Sequence, residues 1–241
     1  MSFGGLSLGE TITALAYLVG AAVFFWAARR RKLATEGIGI LAVSGFVAGV
    51  AGAKITQLLA LGWPVRVPWI TVLEPQVGGR ALLGGLVFGW IGVEVAKRKM
   101  GIRRSTGDLF ALALPAGEAI GRIGCHFNEC CYGEKTNLPW AIWQHGAWRH
   151  PAQLYSSAVA ALTFVFLIWL APKLHREGQL FKVYLLIFGV TRFGLEFVRW
   201  RESVIFGLSP MQWFCIDLVA LGSFGLLRRN RYEMPKLRSG V

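Results

Sequence analysis

Charge is scarce in this chain. Only 16% of its 241 residues are Asp, Glu, Lys or Arg while 54% are hydrophobic, and that balance leaves too little polar surface for an ordinary soluble domain. Negative charge is scarcer still, with 13 acidic residues against 26 basic ones. A formal charge of +13 would suit nucleic acid only if Lys and Arg formed one continuous patch on a soluble surface. Instead they fall in short groups between apolar runs, so no nucleic-acid partner is expected. Internal repeats, low-complexity segments and dividing linkers are also lacking, which points to one integral membrane domain over residues 1–241. No basic segment precedes the first apolar run and an arginine cluster follows it, so this run is expected to stay in the mature protein rather than be cleaved as a signal peptide.

Long apolar runs are what the chain has instead. Runs able to cross roughly 30 Å of hydrocarbon lie at approximately 8–28, 37–61, 81–96, 108–120, 153–170, 180–195 and 210–227. The expected fold is therefore an all-α polytopic membrane protein of about seven transmembrane helices. Basic clusters follow alternate runs: Arg29 to Lys32, Lys97 to Arg104, Lys173 with Arg176, and Arg228 onward. Because Lys and Arg collect on the cytoplasmic side of short loops, this alternation places the N-terminus outside and the C-terminus inside. Trp140, Trp143 and Trp148 read as an interfacial aromatic belt. Ser105 and Asp108 resemble a capping box at the start of the fourth run.

The stretch GRIGCHFNECCYG, residues 121–133, then emerges on the outer side, with Glu118, Arg149, His150, Arg192, Glu196 and Arg199 near the same level. Basic residues on that side run against the charge rule. A charged group at membrane depth costs roughly 2.5 to 3.5 kcal/mol, so it is expected to be paired or to serve a ligand. Arg192, Glu196 and Arg199 are spaced i, i+4 and i+7, one helical face on which Glu196 can pair with both arginines and leave donors free. One reading is a structural ion-pair ladder. The other is an anion site in which guanidinium forks hold a phosphate, with Arg122 adding a fork from another span and Gly121 and Gly124 permitting close approach of a helix or a ligand.

The combination of GRIG with Asn128 and Gly133, RHPAQLY at 149–155, RFGLEFVR at 192–199 and GLSPMQ at 207–212 resembles the bacterial prolipoprotein diacylglyceryl transferases from the third run to the C-terminus. That resemblance implies a multi-pass protein of the bacterial cytoplasmic (inner) membrane with its active face extracytoplasmic. It implies transfer of diacylglyceryl from phosphatidylglycerol to the lipobox cysteine thiol of an exported preprolipoprotein, with glycerol phosphate released and no cofactor. Phosphatidylglycerol, other membrane phospholipids and lipobox-containing preproteins are the implied partners. By motif, Arg122 and Arg192 correspond to the catalytic arginines and Glu196 to the acid that orients them. Arg199, Asn128, Gly124, Gly133, Arg149, His150, Gln153, Tyr155 and the Gly84–Gly85 pair correspond to the substrate-binding set.

The sequence departs from that pattern at the acid/base positions. The family commonly carries a histidine before GGL, where this chain has Leu83. Cys125, Cys130 and Ser156 stand where an asparagine and two glutamates are usual. His126 or Glu129 would then take over proton transfer. The C-x4-C-C spacing of Cys125, Cys130 and Cys131 is unlike the pairs of zinc sites, so no metal ligands are assigned. The cluster stays open to four readings: packing between helices, a disulfide, a nucleophile, or a metal site with His126. Cys215, mid-span, reads as packing. The alternative function is a non-catalytic or thiol- or metal-active membrane protein using the cysteine cluster.

Overall fold

The computed structural model describes residues 2–3, 6–31, 37–60, 82–200 and 204–227. Arg80, Arg201, Glu202 and the basic cluster from Arg228 lie outside the described residues, as does the side chain of Leu83. Among the described residues seven α-helices follow one another: α1 (Leu8–Arg30), α2 (Ile38–Ala60), α3 (Leu82–Lys99), α4 (Gly107–Phe127), α5 (Ala152–Leu170), α6 (Gln179–Leu195) and α7 (Pro210–Leu227). Each apolar run of the sequence is thus a helix. Four of them, α1, α2, α5 and α7, are long and apolar enough to cross a membrane by length and composition. Of the other three, α6 is shorter, at 17 residues, and all hold charge along their length: Glu94 and Lys97 in α3, Glu118 and Arg122 in α4, and Lys182 and Arg192 in α6. Leu18, Val47, Leu162, Val190 and Leu221 face outward with more than half their surface exposed. Apolar faces turned outward on successive helices are those of a membrane protein, for which hydrocarbon is the solvent.

Contacts divide the chain into two compact units, Met1–Ala27 with Ser105–Val241, and Ala28–Arg104. In the second unit, α2 and α3 pack as a hairpin. A Cβ on Gly84 would run into the Gly52 carbonyl and the Thr56 side chain, and Gly49 meets Gly85 and Gly89. Small residues on both helices let the backbones approach closely, which substitutes for a hydrophobic drive between helices in lipid.

In the first unit α4 packs against both α5 and α6, α5 against α6, and α6 against α7. α1 lies along α4, with Gly20 against Ala113 and Gly117, and Phe24 stacked on Phe110 at 4.8 Å. The helix starts are fixed by polar side chains. Ser7 and Glu10 exchange reciprocal bonds at the start of α1, the Ser7 amide donating to Glu10 Oε2 at 2.8 Å and the Glu10 amide to Ser7 Oγ at 3.2 Å. Ser209 and Gln212 do the same at α7, at 2.9 and 3.2 Å, with Pro210 in the first helical position. Both are capping boxes. The box expected at Ser105 and Asp108 does not form: α4 is capped by Thr106 without a side-chain bond. Buried Asp108 instead accepts from the amides of Gly178 and Phe181, at 3.1 and 3.0 Å, at the start of α6. A carboxylate there meets otherwise orphaned amides and the positive end of the α6 dipole.

α4 extends seven residues past the expected end at Ile120. Arg122 does not break it because its charge is met one turn back by Glu118, and Gly124 faces Gly9 and Thr13 of α1. The connection to α5 holds a small hairpin, β3 (Ile142–Gln144) and β4 (Ala147–Arg149), after a short pair β1 (Ser2–Phe3) and β2 (Leu6–Ser7) at the N-terminus. Its turn residues His145 and Gly146 have φ of 49° and 72°, the left-handed pair that a tight hairpin requires.

Candidate active site

The last turn of α4 carries the first part of the site. Past the C-cap Asn128, the Glu129 amide donates to the His126 carbonyl and the Cys130 amide to the Cys125 carbonyl, each at 3.1 Å, with Glu129 at φ 48°. This is a Schellman closure with glutamate where glycine is usual. It folds Cys130 back over Cys125, and a second left-handed residue, Cys131 at φ 61°, turns the chain again. The Sγ atoms of Cys125, Cys130 and Cys131 lie within 4.8 Å of one another. All three are free, half-buried thiols.

Neighbouring segments hold this turn by its carbonyls. His145 Nε2 lies 2.7 Å from the Glu129 carbonyl oxygen, Gln153 donates to that of Cys130 at 2.8 Å and Arg149 to that of Gly133 at 3.2 Å. Arg149 also donates to the Gln144 carbonyl at 3.1 Å and lies over the rings of Tyr132 and Trp200. Its donors are thus directed at backbone, which makes it a brace for the connection. Gly133 sits between His150 and the Val198 carbonyl, where a Cβ would approach that carbonyl to 2.8 Å. Gly133 and Arg199 form a bridge, and the Glu134 amide reaches the Val198 carbonyl at 3.0 Å. The thiol turn is thereby tied to the segment that follows α6.

The arginines form the second part. Both Nε and Nη2 of Arg122 reach Glu118 Oε1, at 3.1 and 3.0 Å. Arg192 Nη2 lies 2.9 Å from Glu196 Oε2, and Arg199 Nε lies 3.8 Å from the same oxygen. Glu196 therefore pairs with both arginines as the spacing predicts, although α6 ends at Leu195 and the pairing continues through a 3-10 turn, Glu196–Val198. Arg192 and Glu196 are buried. Nε and Nη1 of Arg192 and Nη1 of Arg199 are buried donors without a hydrogen-bond partner among the described residues. The charges of Arg122 and Arg199 both act on Arg192. Three guanidiniums thus share two carboxylates, Glu118 and Glu196. An unmatched positive charge with free donors in a low-dielectric setting calls for an anion with several oxygens.

An open cleft between α4, α5 and α6, about 330 Å³ when the space open to its surroundings is included, reaches Glu118 and Arg192. Glu118, Ser156, Tyr184, Thr191 and Arg192 supply its polar lining, and Pro115, Phe188 and Leu195 part of its apolar wall. Glu118 and Tyr184 were not among the sequence candidates. The i, i+4 spacing of Glu118 to Arg122 was the available signal for the first; only packing brings in the second.

Charge links the two parts. The Cys131 thiol is held far below the usual thiol range because Cys125 and Cys130 donate to its thiolate, with Arg199 and Arg122 adding to the effect. Cys130 is pushed up, because its proton is engaged by Cys125 and Cys131 and burial disfavours its charged form.

The remaining candidates are placed as follows. His126 has a buried Nδ1 without a hydrogen-bond partner among the described residues, as does His150, whereas Glu129 is exposed. Asn128 Oδ1 accepts from Ser7 Oγ at 3.3 Å and packs on Gly9 of α1. Tyr155 accepts a 2.6 Å bond from Trp140 Nε1, and Gln153 is fully buried against Gln144. Gly124 serves the α1–α4 contact, and Gly84 and Gly85 the α2–α3 contact.

Known proteins similar to this chain share one name. The phosphatidylglycerol--prolipoprotein diacylglyceryl transferase of Thermotoga maritima is 29% identical over 239 residues, 91% of this chain and 80% of that protein. Its namesake from Finegoldia magna is 32% identical over 170 residues, 70% of this chain and 67% of the relative. That of Aromatoleum aromaticum is 36% identical over 168 residues, covering 62% and 63%. The profile of the prolipoprotein diacylglyceryl transferases matches residues 10–228, nearly the whole helical chain, and the chain belongs to this family of membrane transferases.

Proposed function

We propose that the chain transfers diacylglyceryl from phosphatidylglycerol to the lipobox cysteine thiol of an exported preproprotein, at the outer face of the bacterial cytoplasmic membrane. The observation that carries this reading is the set of buried donors on Arg192 and Arg199 without a partner among the described residues, with Arg122 and Arg199 acting on Arg192 and Arg192 lining an open cleft. The lipid phosphate is held by Arg192 through Nε and Nη1 and by Arg199 through Nη1, all without a hydrogen-bond partner among the described residues, and by Arg122, whose charge acts on Arg192. Glu196 and Glu118 fix the guanidiniums and are positioning residues. The acyl chains lie along the apolar wall of the cleft and reach the bilayer. The acceptor sulfur attacks the glycerol carbon that bears the phosphate. The C–S bond forms, the C–O bond breaks, its electron pair goes to the phosphate oxygen, and glycerol phosphate leaves. Positive charge already in place where negative charge develops lowers the barrier without reorganisation.

His126 takes the acceptor thiol's proton in this reading, one turn beyond Arg122 on α4. Its buried Nδ1, without a hydrogen-bond partner among the described residues, supports that role, and the exposure of Glu129 argues against Glu129 as the base. The seven helices are read as seven spans of one membrane domain, N-terminus outside, because basic clusters follow alternate helices. Other phospholipids share the phosphate and occupy the same site more weakly.

The test is an assay of purified protein with labelled phosphatidylglycerol and a lipobox peptide, following the diacylglyceryl thioether. Wild-type protein is expected to form product, and Arg122→Ala to lose about 100-fold or more of it while eluting as a folded species. Absence of product from folded wild type, or full activity in Arg122→Ala, overturns the reading.

A further inference from the structure

The three-thiol cluster is not used by the transfer step. Cys125, Cys130 and Cys131 come from a C-x4-C-C spacing that matches no common zinc pattern, yet the fold brings their Sγ atoms within 4.8 Å of one another. That convergence is built: the Cys130 amide closes on the Cys125 carbonyl, Cys131 adopts φ 61°, and Gln153 anchors the Cys130 carbonyl. Left-handed non-glycine residues cost free energy and persist where the surroundings over-determine them. A disulfide would use two of the sulfurs and leave the third, and bonding the adjacent pair, Cys130 and Cys131, would strain the backbone between them.

We propose that Cys125, Cys130 and Cys131 form a three-coordinate thiolate site for a soft monovalent d10 cation, copper(I). Thiolate selects soft ions. Among the described residues the ligand group comprises three thiols alone, which satisfies copper(I), whereas structural zinc takes four ligands. Charge fits as well. Three thiolates on a monovalent ion leave two negative charges, opposite the guanidiniums of Arg122 and Arg199 that act on Cys131. Binding releases the thiol protons to solvent, and the copper keeps its oxidation state. Arg122 and Arg199 also serve the lipid-transfer reading, but ligation of the ion rests on the three thiols alone.

The test uses the full chain in lipid nanodiscs, under anaerobic reducing conditions, titrated with copper(I) in competition with a chromogenic chelator. One copper per chain is expected, with three sulfur neighbours by X-ray absorption. Cys125→Ser, Cys130→Ser and Cys131→Ser each weaken binding about tenfold or more, while Cys215→Ser leaves it unchanged. A second arm needs no substitution: copper(I) is expected to protect all three thiols together from maleimide, mapped by mass spectrometry. Failure of wild-type protein to bind, nitrogen or oxygen ligation, protection of only two thiols, or tighter binding of zinc overturns the proposal. None of these readouts depends on lipid transfer, so either idea can fail while the other stands.

Discussion

At the scale of single residues, the chemistry rests on guanidiniums rather than on positive charge as such. Arg192 gives one nitrogen to Glu196 and keeps Nε and Nη1 buried and without a hydrogen-bond partner among the described residues. Lysine keeps the charge but is a point donor that cannot pair with a carboxylate and grip a phosphate through one planar fork. Arg192→Lys is therefore expected to lower kcat/KM for thioether formation about 100-fold, with Arg192→Gln lower still; a lysine variant with wild-type kinetics removes the fork from the mechanism. Glu129 offers a different prediction. It holds φ 48° at a position where glycine is usual, so Glu129→Gly is expected to gain about 1 kcal/mol of stability from released strain. Glu129→Gln is expected to gain nothing. Thermal unfolding of both in nanodiscs checks the backbone argument, and an unchanged midpoint in the glycine variant refutes it.

At the scale of elements, the helices are tied at their starts. Ser209 and Gln212 box the start of α7, and Asp108 at the head of α4 satisfies the amides at the head of α6. Removing such a cap costs about 1 kcal/mol. Ser209→Ala and Asp108→Ala are each expected to lower the unfolding midpoint, whereas Ser105→Ala, whose hydroxyl caps nothing at α4, is expected to leave it in place. Equal losses in all three variants contradict the assignment. Local spelling explains why the sequence misplaces one cap. Ser105 and Asp108 have the spacing of a box, but the carboxylate is drawn to unpaired amides 70 and 73 residues away, a choice made by packing.

At the scale of the whole molecule, the proposed orientation, N-terminus outside, rests on the alternation of basic clusters. Phosphatase fusions after Lys135 are expected to be active, since that enzyme folds only outside the cytoplasm, and fusions after Arg103 inactive. The reverse pattern inverts the topology and places the arginine site on the wrong face for an exported acceptor.

The sequence by itself determined the seven helices within a few residues at most ends, because an apolar run long enough for a membrane has only helix to form when its backbone must satisfy itself. It also determined the Arg192–Glu196–Arg199 pairing, since i, i+3 and i+4 neighbours meet wherever the chain winds as a helix. α4 was legible only to Ile120. Its last two turns carry an arginine and glycines that read as a loop, and they stay helical because Glu118 and the α1 backbone receive them. The three thiols converge through a local left-handed turn at Glu129 and Cys131 that their spacing did not reveal. The bracing role of Arg149 and the entry of Tyr184 into the cleft were decided by tertiary structure. Each depends on segments far apart in the chain, whose approach is set by close packing of helices and by which buried polar groups find partners.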